Sequence, residues 1–176
     1  MSIEQKLSEF EIENILVVDD ALDNIIAAKK YFESLPINTD YASSALDAKN
    51  NIKQSVLNKS KYDLVITDLE METPDAGLEV VRESLAITAY VTIATGKNYH
   101  MSESHAHGPN TTVLPINESV KGKKDDARVW EEVLRYSMEH VSSDSIQNIY
   151  KSEIRYERAT GKKSDLFKKF VFEMYK

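Results

Sequence analysis

The sequence contains no cysteine, which excludes disulfides and thiolate chemistry without deciding the cellular compartment. It also contains no run of roughly eighteen apolar residues, so no transmembrane helix is predicted. The first residues, MSIEQKLSEFEIEN, are acidic and include no apolar core segment, which argues against a secretory signal and makes the cytoplasm the expected location. The 176 residues are 41% hydrophobic, enough to bury one ordinary globular core.

Positive charge is scarce in most of the chain. Residues 1–120 contain 9 Lys and Arg against 19 Asp and Glu, whereas residues 121–176 contain 13 against 10. An acidic main domain argues against nonspecific nucleic-acid binding. The excess of positive charge in the tail is too small to predict DNA binding, and no recognition helix with clustered Arg, Asn or Gln is evident.

Apolar β-rich runs alternate with segments of helical period, which predicts an α/β fold. The first run, ILVV, is continuous and β-branched, as is typical of a parallel strand covered on both faces. Five β/α units are predicted, and their strands lie at residues 15–18, 37–41, 62–67, 89–94 and 111–114. A helix from about Asp125 to Val141 completes the fifth unit.

Two further helices are predicted after the fifth unit, at residues 144–158 and 164–174. Both have an apolar stripe that must be buried. The stripe could pack on the protein's own core, or it could form a homodimer or partner surface. The predicted organisation is therefore an N-terminal segment (1–12), a main domain (13–141) and a C-terminal helical extension (142–176).

Acidic residues follow two of the predicted strands directly. In an open parallel sheet of strand order 2-1-3-4-5, Asp19, Asp20 and Asp68 would meet at one edge, where ligands gather. Their mutual repulsion favours a hard divalent cation such as Mg²⁺ among them. A carboxylate in such a site can act as a nucleophile toward a phosphoryl group. Thr95, at the end of the fourth strand, could then sense the phosphate through its hydroxyl, and Gly96 leaves space for it.

Two other acidic residues and one glycine have simpler interpretations. Asp23 and Asp63 are predicted to face solvent or to cap a helix. Gly77 is interpreted as a turn residue rather than a phosphate contact.

The blocks ILVVDDALDN, YDLVITDLEM, PDAGLEVV and IATG resemble, in order and near-family spacing, the motifs of response-regulator receiver domains of two-component signalling. The resemblance covers residues 13–141 and implies a flavodoxin-like five-stranded parallel sheet with helices on both faces. It implies that Asp68 is the phosphoacceptor, with Asp20 a direct Mg²⁺ ligand and Asp19 a ligand through water. The main-chain carbonyl of Glu70 would complete the metal site, and Thr95 would be the switch hydroxyl.

The implied function is that of a phosphoprotein in a phosphorelay. The chain would accept a phosphoryl group from a histidine kinase or phosphotransfer protein and signal through protein–protein interaction, without being an enzyme. Neither a membrane nor DNA is expected as a partner.

The basic half of the expected site is missing at its usual place. Receiver domains normally carry a lysine directly before the proline that ends strand five, and this chain has Leu114 there. Leucine has neither charge nor a hydrogen-bond donor. Lys97 is a candidate substitute for contacting the phosphate, whereas Lys121, Lys123 and Lys124 are expected to lie further away.

The stretch GKNYHMSESHAHGPN lacks helical periodicity where receiver domains have their fourth helix, so a different output surface is expected. Its three histidines, His100, His105 and His107, could ligate a transition metal, but their spacing matches no zinc signature and favours a polar loop.

Two alternatives to a phosphoaccepting receiver stay open. The missing lysine and the missing helix also suit a pseudo-receiver, an interaction module that does not depend on phosphorylation. An aspartyl-nucleophile hydrolase of the haloacid dehalogenase type would need an acid two residues after the nucleophile on its first strand. Asp20 is followed at that distance by Leu22, so this match is poor.

Overall fold

The computed structural model describes residues 1–96, 111–116, 120, 122–143 and 161. The helices of these residues are α1 (Ile3–Glu9), α2 (Leu22–Phe32), α3 (Ala45–Leu57), α4 (Ala76–Ala86) and α5 (Ala127–Ser143). The strands are β1 (Asn14–Val18), β2 (Asn38–Ala42), β3 (Leu64–Thr67), β4 (Tyr90–Thr95) and β5 (Thr111–Pro115).

The five strands form one parallel sheet in the order β2-β1-β3-β4-β5, which confirms the predicted topology. In the register of this sheet, Val18 of β1 pairs with Thr67 of β3, and Thr67 pairs with Ile93 of β4. The residues that follow Val18 and Thr67 therefore leave the sheet side by side at its carboxyl edge.

Helices cover both faces of the sheet because the side chains of its central strands β1 and β3 alternate between two apolar cores. In β1, Ile15 and Val17 pack into the core under α1, α2 and α5. Leu16 and Val18 face the opposite core, which α3 and α4 cover. Complete burial of all four side chains explains why this strand reads as a continuous apolar run.

The N-terminal segment contributes a helix to the first of these cores. α1 begins with a capping box. The Ser2 hydroxyl accepts a hydrogen bond from the main-chain N–H of Gln5, and the Gln5 side chain accepts one from the main-chain N–H of Ser2. Leu7 and Ile12 are buried at 3% and 2% exposure. Residues 1–12 therefore contribute to the core of the sheet domain and are not a separate segment beside it.

The helix predicted from about residue 125 is confirmed as α5. It begins at Ala127 because the Asp126 carboxylate accepts a hydrogen bond from the main-chain N–H of Arg128 at 2.9 Å, which caps the first turn. One face of the helix is buried against the sheet and against α2. The buried residues are Val129, Trp130, Val133, Leu134, Ser137, Met138 and Val141.

Several predictions lie outside the described residues: the two C-terminal helices, the histidine-containing stretch, Lys97 and Lys121. Within the part of the chain that the structure describes, no helix has the length and apolar character that a membrane span requires.

Candidate functional site

Three carboxylates meet at the carboxyl edge of the sheet, as predicted. Asp19 and Asp20 directly follow β1, and Asp68 directly follows β3. One carboxylate oxygen from each lies within 4.8 Å of the other two. Asp19 is buried, Asp68 is partly buried and Asp20 is exposed, so the cluster opens to solvent on one side.

Asp19 is held by a dense set of donors. Its Oδ1 accepts hydrogen bonds from the main-chain N–H of Ala21 and from the Asn24 side chain, both at 3.0 Å. Its Oδ2 accepts from Asn24 at 3.1 Å and from the ammonium of Lys124 at 2.7 Å. Asn24 ends the first block of the receiver resemblance, but its role had no separate prediction.

Lys124 supplies the positive charge that β5 lacks. Its Nζ lies 2.7 Å from Asp19 Oδ2 and 3.4 Å from Asp68 Oδ2, and it donates to the main-chain carbonyl of Ala94 at 2.9 Å. The prediction that Lys124 lies further away is wrong, because its ammonium contacts Asp19, Asp68 and the Ala94 carbonyl at the strand ends. Leu114 is buried in the core at 1% exposure.

The connection that carries Lys124 is fixed to the start of α5. Gly122 has a φ of +136°, and a Cβ there would lie 2.8 Å from the Val129 side chain. The buried indole N–H of Trp130 donates to the carbonyl of Lys124 at 2.7 Å. No local sequence signal marks these contacts, and the neighbouring Lys123 is exposed.

Asp68 combines burial with strong local charge. Its side chain is 15% exposed, and its Oδ1 accepts from the main-chain N–H of Leu69 at 2.8 Å. Burial raises the pKa of the Asp68 carboxyl above its usual range. The negative charge of Asp19 acts in the same direction, whereas the Lys124 ammonium opposes both. An opposite charge bound beside Asp68 would therefore favour its ionised form.

The connection after Asp68 is packed against its main chain. Gly77, in the first turn of α4, donates its N–H to the carbonyl of Leu69 at 2.8 Å. A Cβ at Gly77 would lie 2.1 Å from the Asp68 carbonyl oxygen. Glycine is required at this position because its main chain approaches that of Asp68 closely, and not because of the turn that the sequence suggested.

The remaining candidates have different positions. Thr95 ends β4 with 1% exposure, one residue past the carbonyl that accepts from Lys124. Glu70 is partly buried two residues after Asp68. Asp63 lies at the opposite edge of the sheet, where its carboxylate accepts from the N–H groups of Glu13 and Asn14, both at 2.9 Å. The prediction that Asp63 faces solvent or caps a helix is wrong, because Asp63 is buried at 6% exposure and holds the main chain at the start of β1.

The donors of the cluster fit a hard divalent cation. Asp19, Asp20 and Asp68 offer only carboxylate oxygens, and the Glu70 main chain could add a carbonyl. Three carboxylates with one ammonium carry a formal charge of −2 when Asp68 is ionised, which a divalent cation neutralises. The exposure of Asp20 provides the side from which an ion could enter.

No family model matches the chain, and no curated protein does. Similar solved structures include the response regulator domain of Thermotoga maritima CheB, at 17% identity and a TM-score of 0.54, covering 76% of this chain and 98% of that one. The phosphorylated cyanobacterial phytochrome response regulator RcpA matches at 16% identity and 0.54, covering 76% and 96%.

The receiver domain of the hybrid histidine kinase CckA matches at 18% identity and a TM-score of 0.51, covering 71% of this chain and 98% of that one. All three matches have TM-scores above 0.5 at low sequence identity, which is a likeness of fold. The chain therefore has the fold of response-regulator receiver domains.

Proposed function

We propose that this protein is a response-regulator receiver that accepts a phosphoryl group on Asp68 from a histidine kinase or phosphotransfer protein. Mg²⁺ would be held by Asp19, Asp20, Asp68 and the Glu70 carbonyl. The observation that carries the proposal is the position of Asp68 between two carboxylates and the Lys124 ammonium, at the strand ends of this fold. The output would be protein–protein interaction rather than turnover of a substrate.

The reaction would transfer the phosphoryl group from an imidazole nitrogen of the donor to a carboxylate oxygen of Asp68. A carboxylate oxygen of Asp68 forms a bond to phosphorus while the bond between phosphorus and the donor's imidazole nitrogen breaks, and the imidazole leaves with the bonding pair. Mg²⁺, when bound, would neutralise negative charge on the transferring group. Lys124 is 3.4 Å from Asp68 and can offset further charge there, and the Thr95 hydroxyl would sense the product.

A partner must reach Asp68 from the open side of the cluster. Leu22 and Ile26 of α2 are 72% and 54% exposed and lie one helical turn apart, and Leu22 is two residues after Asp20 in the chain. Exposed apolar side chains at this place would provide a contact surface for the donor protein.

The first test is incubation with acetyl phosphate and Mg²⁺, followed by intact-mass measurement and peptide mapping. We expect one added phosphoryl group on Asp68, and none in Asp68→Asn. Asp23→Asn is the matched control, because it makes the same charge change at an exposed position on α2. The proposal fails if wild type gains no phosphoryl group under conditions that modify a known receiver.

A pseudo-receiver is the second candidate, favoured by one observation. Both oxygens of Asp19 already have donors from Ala21, Asn24 and Lys124, so this buried carboxylate is satisfied without a metal ion. Such a module would bind its partner equally well before and after treatment with acetyl phosphate. A change in partner affinity that Asp68→Asn abolishes would refute it.

A further inference from the structure

The positively charged residue of this site, Lys124, lies close to the start of α5 in the sequence. Lys124 precedes the first residue of α5 by three positions, and its ammonium contacts both Asp19 and Asp68. Its side chain is 8% exposed, so the ammonium depends on these partners and on the Ala94 carbonyl instead of water. A change of charge at Asp68 therefore acts directly on Lys124.

The main chain of Lys124 is tied to α5 by contacts on both sides. Gly122 packs against Val129 so closely that a Cβ would clash with it. The carbonyl of Lys124 itself accepts the indole N–H of Trp130. Because Trp130 is 1% exposed, loss of this hydrogen bond would leave a buried donor without a partner, which strongly opposes independent movement.

Trp130 connects this contact to the rest of the molecule. Its ring meets Phe32 of α2 edge-on, with centroids 6.1 Å apart. Further along α5, the hydroxyls of Thr92 and Ser137 lie 2.7 Å apart in the core and hold the helix on β4. Displacement at the first turn of α5 would therefore alter its packing on α2 while its middle stays on the sheet.

We propose that Lys124 contacts the phosphoryl group, and that its main-chain hydrogen bond to Trp130 makes the first turn of α5 the element that responds to phosphorylation. This inference rests on the proposed function. The phosphoryl oxygens would draw the ammonium away from Asp19, and the carbonyl of Lys124 would shift relative to the indole. The responding surface would then be the start of α5 with its neighbour α2.

The experiment uses the full chain with Mg²⁺ and beryllium fluoride as a phosphoryl analogue. Fluorine NMR reports binding of the analogue at Asp68. Proton–nitrogen NMR reports the indole N–H, which gives one resonance because the chain has a single tryptophan. The variants are Lys124→Gln, Lys124→Met, the exposed neighbour Lys123→Gln as matched control, and Asp68→Asn.

We expect the analogue to shift the indole resonance in wild type and in Lys123→Gln, but not in Asp68→Asn. In Lys124→Gln, either half-saturation should need at least tenfold more analogue, or the indole shift should be lost while the analogue binds. If Lys124→Gln is poorly folded, Lys124→Met takes its place, because methionine keeps an unbranched side chain without charge. It should give the same result.

Two results would overturn the inference while leaving the proposed function intact. One is a bound fluorine signal in wild type with an unmoved indole resonance. The other is a folded Lys124 variant with wild-type affinity and a wild-type indole shift. Absence of a bound fluorine signal in wild type would instead contradict the proposed function, and the inference would fall with it.

Discussion

At the scale of single residues, the ionisation of Asp68 has a measurable cost in stability. Because burial and the charge of Asp19 raise its pKa, ionised Asp68 destabilises the folded state relative to the unfolded chain. This loss is complete above the folded pKa of Asp68 and absent below its unfolded pKa. The metal-free protein should therefore gain stability from removal of this charge at neutral pH.

We expect Asp68→Asn to raise the melting temperature at pH 7 without divalent cations by about 2–4 °C, which corresponds to roughly 1 kcal/mol for a chain of this size. The gain should shrink as the pH falls through the raised pKa of Asp68 toward acid, because wild-type Asp68 then becomes protonated and loses the same charge. Calorimetry across this range checks the prediction. An equal gain at pH 4 and pH 7 would contradict it.

A tyrosine on α2 gives a second pH dependence, at the alkaline end. Burial, and then the charges of Glu131 and Glu4, raise the pKa of Tyr31 to about 12. As the pH rises through 10, the unfolded chain loses this proton first, so the folded state loses stability between pH 10 and 12. The buried hydroxyl of Tyr31 has no hydrogen-bond partner among the described residues.

Tyr31→Phe removes both the proton and the unpaired hydroxyl. We expect unfolding in denaturant to depend less steeply on pH between 10 and 12, without losing the dependence altogether, because burial also raises the pKa values of Tyr41 and Tyr62. Near pH 7 the variant should be no less stable than wild type. An unchanged alkaline slope would contradict this account of Tyr31.

At the scale of elements, the docking of α4 depends on one missing side chain. A Cβ at Gly77 would lie 2.1 Å from the Asp68 carbonyl and 2.7 Å from the Leu69 Cα, and neither main-chain atom can turn aside. Gly77→Ala should cost about 1–3 kcal/mol of unfolding free energy, as overpacking does. It should also weaken Mg²⁺ binding, because the displaced main chain includes the residue that carries the acceptor.

Chemical denaturation and Mg²⁺ titration of Gly77→Ala give the two readouts. The matched control is Glu79→Ala in the same helix, which breaks only a surface ion pair with Lys49. That change should have little effect on the free energy of unfolding, because the pair is exposed to solvent, and it should leave metal affinity unaltered. If Gly77→Ala were as mild as its control, the close approach would not be required.

Elements with a strong local signal could be predicted from the sequence. β1 was evident because all four residues from Ile15 to Val18 are buried, which demands a continuous apolar run. Asp19 and Asp20 could be predicted as well, because they come directly after the point where this apolar strand ends. α1 also has a local signal, the Ser2 and Gln5 capping box, although no helix was predicted there.

At the scale of the whole molecule, the completed site depends on contacts between distant parts of the chain. Lys124 lies 105 residues after Asp19, and nothing in its neighbouring sequence distinguishes it from Lys123. Tertiary contacts of Gly122 and Trp130 fix the main chain near Lys124, and the ammonium of Lys124 reaches the strand ends from there. The acidic half of the site could therefore be predicted from the sequence, and the basic half could not.

Because the site combines residues that are far apart in the chain, metal binding should stabilise the whole domain. A ligand that binds only the folded state stabilises it by about 2.7 kcal/mol at one hundred times its dissociation constant. For a chain of this size, that corresponds to a rise in melting temperature of roughly 5–10 °C. We expect Mg²⁺ to produce this rise, and NaCl at matched ionic strength to produce much less.

Asp20→Asn tests whether the acidic cluster is responsible, because this exposed carboxylate can be neutralised without disturbing the core. The variant should need at least tenfold more Mg²⁺ for the same rise in melting temperature. Asp23→Asn, with the same change in net charge, should respond to Mg²⁺ as wild type does. Equal responses in both variants would mean that Mg²⁺ acts on the overall negative charge of the molecule, and the cluster would not be a metal site.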